Sequence, residues 1–229
     1  MLRVAFHAEL NRLQADVAQL GMMVKTAIRK AVVALQDRNL DAAREVLADD
    51  QLINDKRFRL EHDILVLIAT QQPLASDLRN LAAMLEIITE LERMGDYGKG
   101  ISKINLMLGQ QYLIKPLVDI PKMADIALDM LASSLEAFAA LDVEAAKRIP
   151  LMDDQVDELY NQVYRDLIER VIKNPDHMEQ ANMLMWVAHN LERAGDRAVN
   201  ICERIIFVVE GRMTEFDAGH AAQPPSGSN

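Results

Sequence analysis

The chain has 229 residues, half of them hydrophobic, with only 4% aromatics and a formal net charge of -10. That length suits one large domain or two small ones, and the acidic balance disfavours nucleic acid and anionic lipid as main partners. A single cysteine, Cys202, excludes an intramolecular disulfide and makes the cytosol the simplest compartment.

The apolar content rests on Leu, Ala, Ile, Val and Met, and there are only 9 glycines, a mix that favours packed helices over sheets. In chain order, the first helix is expected from about Arg3 to Asp37, with Leu10, Leu13, Val17, Leu20, Val24, Ile28 and Ala31 at helical spacing. Its opening breaks any apolar run with Arg3, His7 and Glu9, which does not read as a signal peptide. Asn39 and Asp41 mark a break and a new N-cap, and a second helix reaches about Thr70. Pro73 interrupts the pattern and is expected in the first turn of a third helix, whose Leu78, Leu81, Leu85, Ile88 and Leu91 lead toward Leu108. The segment GQQYLIKPLVDIP, punctuated by Gly109, Pro116 and Pro121, joins the halves. A fourth helix follows from Lys122 to Leu141. Asp142 caps a fifth that ends near Asn174, and Pro150 should kink or split it. Pro175 opens a sixth helix to about Gly211. The end, FDAGHAAQPPSGSN, has the composition of a disordered tail. No stretch approaches the roughly 20 apolar residues of a membrane span.

The most informative feature is a duplication. The string LERMGD, Leu91 to Asp96, recurs as LERAGD, Leu191 to Asp196, late in the third helix of each half. A weaker pair lies in the middle helices, where Asp50 and Asn54 answer Asp153 and Asp157.

Glu92 and Asp96, like Glu192 and Asp196, are four residues apart and so share one helix face, where like charges repel. A hard or borderline cation that accepts several oxygens would offset the repulsion. The oxygens of Asp50 and Asn54, or of Asp153 and Asp157, could complete such a site from the neighbouring helix. The alternative is that the acids are solvated or matched by basic neighbours, as isolated pairs usually are; the two readings stand side by side. His189, one turn before Glu192, is a further candidate ligand. Gly95 and Gly195 each cost a helix about 1 kcal/mol relative to Ala, which close packing or room for a bound species would offset.

LERMGD, LERAGD, the lead-in QPLASDLR from Gln72 to Arg79 and the stretch DRAVNI from Asp196 to Ile201 resemble the PhoU family over about residues 1–212. The resemblance implies an all-α fold of six long helices in two repeated three-helix bundles, here 1–112 and 113–212, with 213–229 as a disordered tail. It implies a cytoplasmic, non-enzymatic regulator of phosphate uptake that links the ATPase subunit of a phosphate ABC transporter to a sensor histidine kinase and keeps starvation genes off when phosphate is plentiful. A homodimer is expected, with the membrane approached through partners only. The resemblance further implies iron or zinc, in multinuclear form, held by Asp50, Glu92 and Asp96 in the first half and by Asp153, Asp157, Glu192 and Asp196 in the second. Asn54 departs from the acidic pattern, so the first site should be the weaker.

A competing class is a carboxylate-bridged di-iron protein, a metal-binding helical bundle. That chemistry wants Glu-x-x-His on two helices, and no Glu-x-x-His occurs in this chain. No phosphate-cradling glycine loop and no nucleophile elbow occur either, so no residue is read as catalytic.

Overall fold

The computed structural model describes residues 2–216. The structure is all-α: α1 Leu2–Gln36, α2 Leu40–Gln71, α3 Ala75–Leu108, α4 Asp119–Ala140, α5 Val143–Arg148, α6 Asp153–Lys173 and α7 Met178–Glu210. The expected fifth helix is split, as Pro150 requires. Arg148 ends α5, a 3-10 turn over Ile149–Met152 carries the proline, and α6 begins at Asp153. The six-helix plan is therefore α1, α2, α3, α4, the broken α5–α6 unit and α7.

The termini are set by local chemistry. Asn39 accepts a hydrogen bond from Ala42 N at 3.0 Å and Asp142 one from Ala145 N at 2.9 Å, so both predicted N-caps form. Gly211, at φ +73°, ends α7 in the left-handed region. Three boundaries differ from expectation, one of them at the sixth helix, where Pro175 lies in a 3-10 turn over Pro175–His177 and α7 begins only at Met178. Pro73 lies ahead of α3 rather than in its first turn, because the extended Leu74 is the N-cap. α4 starts at Asp119, three residues before the expected Lys122. Pro121 thus sits inside the first turn, where its missing N–H has no partner to lose.

α1, α2 and α3 pack on one another, and α4, α6 and α7 do the same. The core is continuous through both groups, with Leu13, Leu20, Ile28, Ile64, Ile87 and Leu91 buried in the first and Met130, Leu131, Val156, Leu167, Leu191 and Ile205 in the second. Cys202 is wholly buried among these side chains, and burial pushes its thiol up to about 12; it is a small core residue.

The seam between the groups is chiefly the antiparallel pair α3 and α7, with α1 against α4 beside it. Near one end Arg79 Nε donates to Val208 O at 3.0 Å. In the middle, buried Glu90 accepts from Arg93 at 2.8 Å, Arg197 at 3.1 Å and Asn200 at 3.2 Å. Further along, the Arg193 guanidinium stacks 5.0 Å from the Tyr97 ring centroid, and Asn190 lies against Gly100, where an added Cβ would come within 3.1 Å of its Nδ2. Glu90 and Asn200 on one side correspond in the repeat to Asn190 and Gly100 on the other, so the seam approximates a two-fold. The linker is pinned as well: Gln180 Nε2 donates to Tyr112 O at 3.1 Å, and Arg170 donates to Ile114 O at 2.8 Å.

Among the described residues no helix is long and apolar enough to cross a membrane. Of the segment expected to be a disordered tail, 213–216 follow α7 without regular structure, and Phe216 N donates to Glu203 Oε1 at 2.9 Å. Residues 217–229 lie outside the described part.

Candidate functional site

Each LERxGD string faces the acidic residues of its neighbouring middle helix. In the first half that is α2 against α3. Asp50 is buried, yet it is not bare: Lys99 Nζ donates to its Oδ2 at 2.5 Å and Asn54 Nδ2 donates to the same oxygen at 3.2 Å. Lys99 also lies 3.8 Å from Asp96, and the bond to Asp50 raises the lysine pKa above its ordinary value. Glu92 is half-buried. Burial and then the charge of Asp96 raise its pKa, while Arg57 and Arg93 pull it back. This constellation holds its own cation.

In the second half, α6 against α7, the same frame carries no ammonium. Lys99 sits three residues past the Asp of LERMGD, and the same place past LERAGD is Val199. Asn54 is replaced by Asp157. Among the described residues no lysine or arginine lies within ion-pair distance of Asp153, Asp157, Glu192 or Asp196; the one pairing in the group is His189 Nδ1 with Glu192 Oε2 at 3.2 Å, a close approach that is not a hydrogen bond. Glu192 Oε2 and Asp153 Oδ1 are both buried without a hydrogen-bond partner. Burial first, then Asp196, pushes Asp153 and Glu192 up to about 7, with Asp157 adding to both. Burial also raises Asp157 and Asp196, the latter against the pull of Arg197 and Arg193. The N-terminus of α6 favours a carboxylate at Asp153, so desolvation and repulsion outweigh that field.

The glycines show how closely each pair of helices approaches. A Cβ on Gly195 would stand 2.3 Å from Asp153 Oδ1, so the glycine gives the carboxylate its seat. A Cβ on Gly95 would meet Ile53 at 3.3 Å, an apolar contact at the edge of tolerance.

The eight predicted acidic-site residues thus fall in two places. Asp50, Asn54, Glu92 and Asp96 lie along α2 and α3; Asp153, Asp157, Glu192 and Asp196 lie along α6 and α7, with His189 beside Glu192. The expectation of iron or zinc is overturned. Among the described residues no group of three or more His, Cys, Asp or Glu side chains is placed to hold a metal ion. In the first half the lysine occupies the position of the cation. In the second, Asp153 is seated over Gly195 while Glu192 turns to His189, and no three of the neighbouring acids are placed to share one metal ion. The same finding removes the di-iron alternative.

Sequence reasoning missed Lys99, Glu90 and the aromatic residues beside His189. The first had a visible signal, a lysine one turn past one motif and a valine past the other. Glu90 had little, because two of its three donors, Arg197 and Asn200, are supplied by the other half.

A sequence profile described as the PhoU domain matches the chain twice, at residues 17–104 and 120–205. A phosphate-specific transport system accessory protein PhoU homolog from Deinococcus radiodurans is 34% identical over 211 residues, covering 92% of this chain and 99% of the relative. The crystal structure of PhoU from Pseudomonas aeruginosa superposes with a TM-score of 0.85 at 28% identity, over 90% of this chain and 100% of that one. That of the phosphate transport system regulatory protein PhoU from Streptococcus pneumoniae also gives 0.85, at 29% identity and 92% and 100% coverage.

Proposed function

The chain belongs to the PhoU family of phosphate-transport accessory and regulatory proteins, and from that premise we propose that it acts in the cytoplasm as an adaptor. It links the ATPase subunit of a phosphate ABC transporter to a sensor histidine kinase and holds the kinase in its non-signalling state while phosphate is plentiful. What supports the reading is the double match, which covers both halves in order. Regulation of this kind needs a protein that binds one state of its partner better than another, and no group in the chain is assigned a catalytic role. Self-association as a homodimer belongs to the same proposal.

The test is genetic. Deleting the gene should raise a phosphate-starvation reporter such as alkaline phosphatase in phosphate-rich medium, and the intact gene in trans should restore repression. Unchanged low expression in the deletion strain would overturn the adaptor reading. Sedimentation equilibrium on the purified chain checks the dimer.

A further inference from the structure

The α6–α7 face outside the acidic cluster differs from its first-half counterpart in chemistry as well as charge. Tyr160, Tyr164, Ile168 and Ile172 follow one another at four-residue steps on α6, a stripe of roughly 18 Å. Across from them on α7 stand Trp186 and His189, with ring centroids 5.7 Å apart, and Tyr160 lies 6.3 Å from His189. The stripe is not core: Trp186 is 54% exposed, Tyr164 49% and Ile172 76%. At its Tyr160 end it runs directly into Asp157, Glu192, Asp153 and Asp196.

In the first repeat the corresponding residues are Arg57 for Tyr160, Glu61 for Tyr164, Glu86 for Trp186 and Thr89 for His189. Arg57 pairs with Glu61 at 2.8 Å. Leu65 and Ala69 keep the apolar character of their counterparts Ile168 and Ile172. At the Tyr160, Tyr164, Trp186 and His189 places the first copy is therefore polar, with Arg57 and Glu61 neutralising each other. The other is an exposed aromatic and aliphatic stripe with four carboxylates, and no partnering lysine or arginine, at one end. Exposed apolar stripes rimmed by polar groups mark interaction sites, with Trp and Tyr the residues that most often anchor them.

We propose that the α6–α7 face docks an amphipathic segment of a partner protein, with apolar side chains along Tyr164, Ile168 and Trp186 and a lysine or arginine reaching the carboxylates beside Glu192. The partner's cation takes, in trans, the role that Lys99 fills in cis in the first half. A helix laid along the two-helix face supplies that chemistry, and the carboxylates fix its direction, since a docked charge specifies orientation and register. The proposal deepens the adaptor reading and rests on it.

Trp186 is the only tryptophan in the chain, so its emission reports on this face alone when the partner is labelled elsewhere or lacks tryptophan. The full-length protein is titrated with the purified ATPase subunit and with the purified cytoplasmic part of the kinase, read by calorimetry and by Trp186 emission. For one of the two, binding should shift the emission. Tyr164→Ala combined with Ile168→Ser should weaken that complex at least tenfold, and Asp157→Asn should weaken it less while flattening its salt dependence. The first-half control, Glu61→Ala with Glu86→Ala, should leave it unchanged. All these side chains except the half-buried Asp157 and Glu61 are on the surface, and far-UV circular dichroism confirms that each variant is folded. Wild-type binding that leaves Trp186 emission unchanged, or that survives the Tyr164/Ile168 change, overturns the docking proposal and leaves the adaptor reading standing. Failure of the wild type to bind either protein overturns the adaptor reading itself. If the Tyr164/Ile168 variant instead dissociates a wild-type dimer, the face belongs to a second copy of the chain and the partner proposal falls.

Discussion

In the first repeat Asp50 meets Lys99 at 2.5 Å and Asn54 at 3.2 Å; in the second, Asp153 meets a glycine seat and feels the charges of Asp196, Asp157, Glu192 and Asp154. Two substitutions between the copies, Lys99 against Val199 and Asn54 against Asp157, make that difference. The duplicated backbone holds the same frame, and side chains decide whether its charge is settled inside the chain or left open. A buried carboxylate beside an ammonium is held ionised, whereas one beside other carboxylates is pushed toward its neutral form. The halves are thus alike as folds and unlike as chemistry, and substitutions can probe that contrast directly.

The largest effect is expected at Lys99. Lys99→Met leaves Asp50 buried with only an amide for company. Removing one partner of a buried pair is far costlier than the pair is worth, and because Lys99 keeps 31% of its side chain exposed the loss should be about 2–3 kcal/mol, at the lower end of such cases. Thermal or urea unfolding at pH 7 measures it, and a loss below about 0.5 kcal/mol would show that the first site is as open as the second.

The same substitution made in both halves should act in opposite directions. Asp50→Asn strands the Lys99 ammonium and should destabilise. Asp153→Asn removes a charge that burial and Asp196 oppose, and at pH 8 it should stabilise by about 1–2 kcal/mol once solvent screening is allowed for. The sign follows from linkage. Asp153 and Glu192 hold protons more tightly folded than unfolded, up to about 7. Their contribution to stability is therefore full below the ordinary carboxylate range and is lost as pH rises through 7. In the wild type the melting temperature should fall between pH 5 and pH 8, and Asp153→Asn should flatten that fall. A slope unchanged in the variant would mean that the second cluster is solvated.

Much of this architecture was legible beforehand. The helical spacing of Leu10 to Ala31, the caps Asn39 and Asp142, and the break at Pro150 are local signals, and the structure follows them. The repeated LERxGD marked both acidic surfaces by residue number. What the strings could not convey is where each carboxylate points. The i,i+4 spacing places Glu192 and Asp196 on one face, yet Glu192 turns to His189 while Asp153 settles over Gly195, choices made by packing between helices. Four acids on two helices therefore looked like a metal site when they form a repelling surface. The buried Glu90 node was hidden for a related reason: beyond Arg93 on its own helix, its donors Arg197 and Asn200 lie over a hundred residues away, and no local pattern joins them to it.

The smallest expected effect is also the sharpest comparison. Val199→Lys gives the second repeat the ammonium that the first already has. Val199 is 8% exposed, so the change gives up the burial of a valine side chain, a cost of about 1–2 kcal/mol, and recovers that cost only where the carboxylates are ionised. At pH 5.5, with Asp153 and Glu192 protonated, the new lysine has only Asp157 and Asp196 to face and the variant should be less stable than wild type. At pH 8 it faces charged carboxylates, each favouring its ionised form, and the deficit should shrink to about zero or turn into a gain of up to about 1 kcal/mol. The decisive quantity is the difference in melting temperature between variant and parent at the two pH values. A deficit that stays constant across that range would mean that a lysine at this position cannot reach the cluster, and that Asn54 against Asp157, not Lys99 against Val199, is the substitution that separates the two halves.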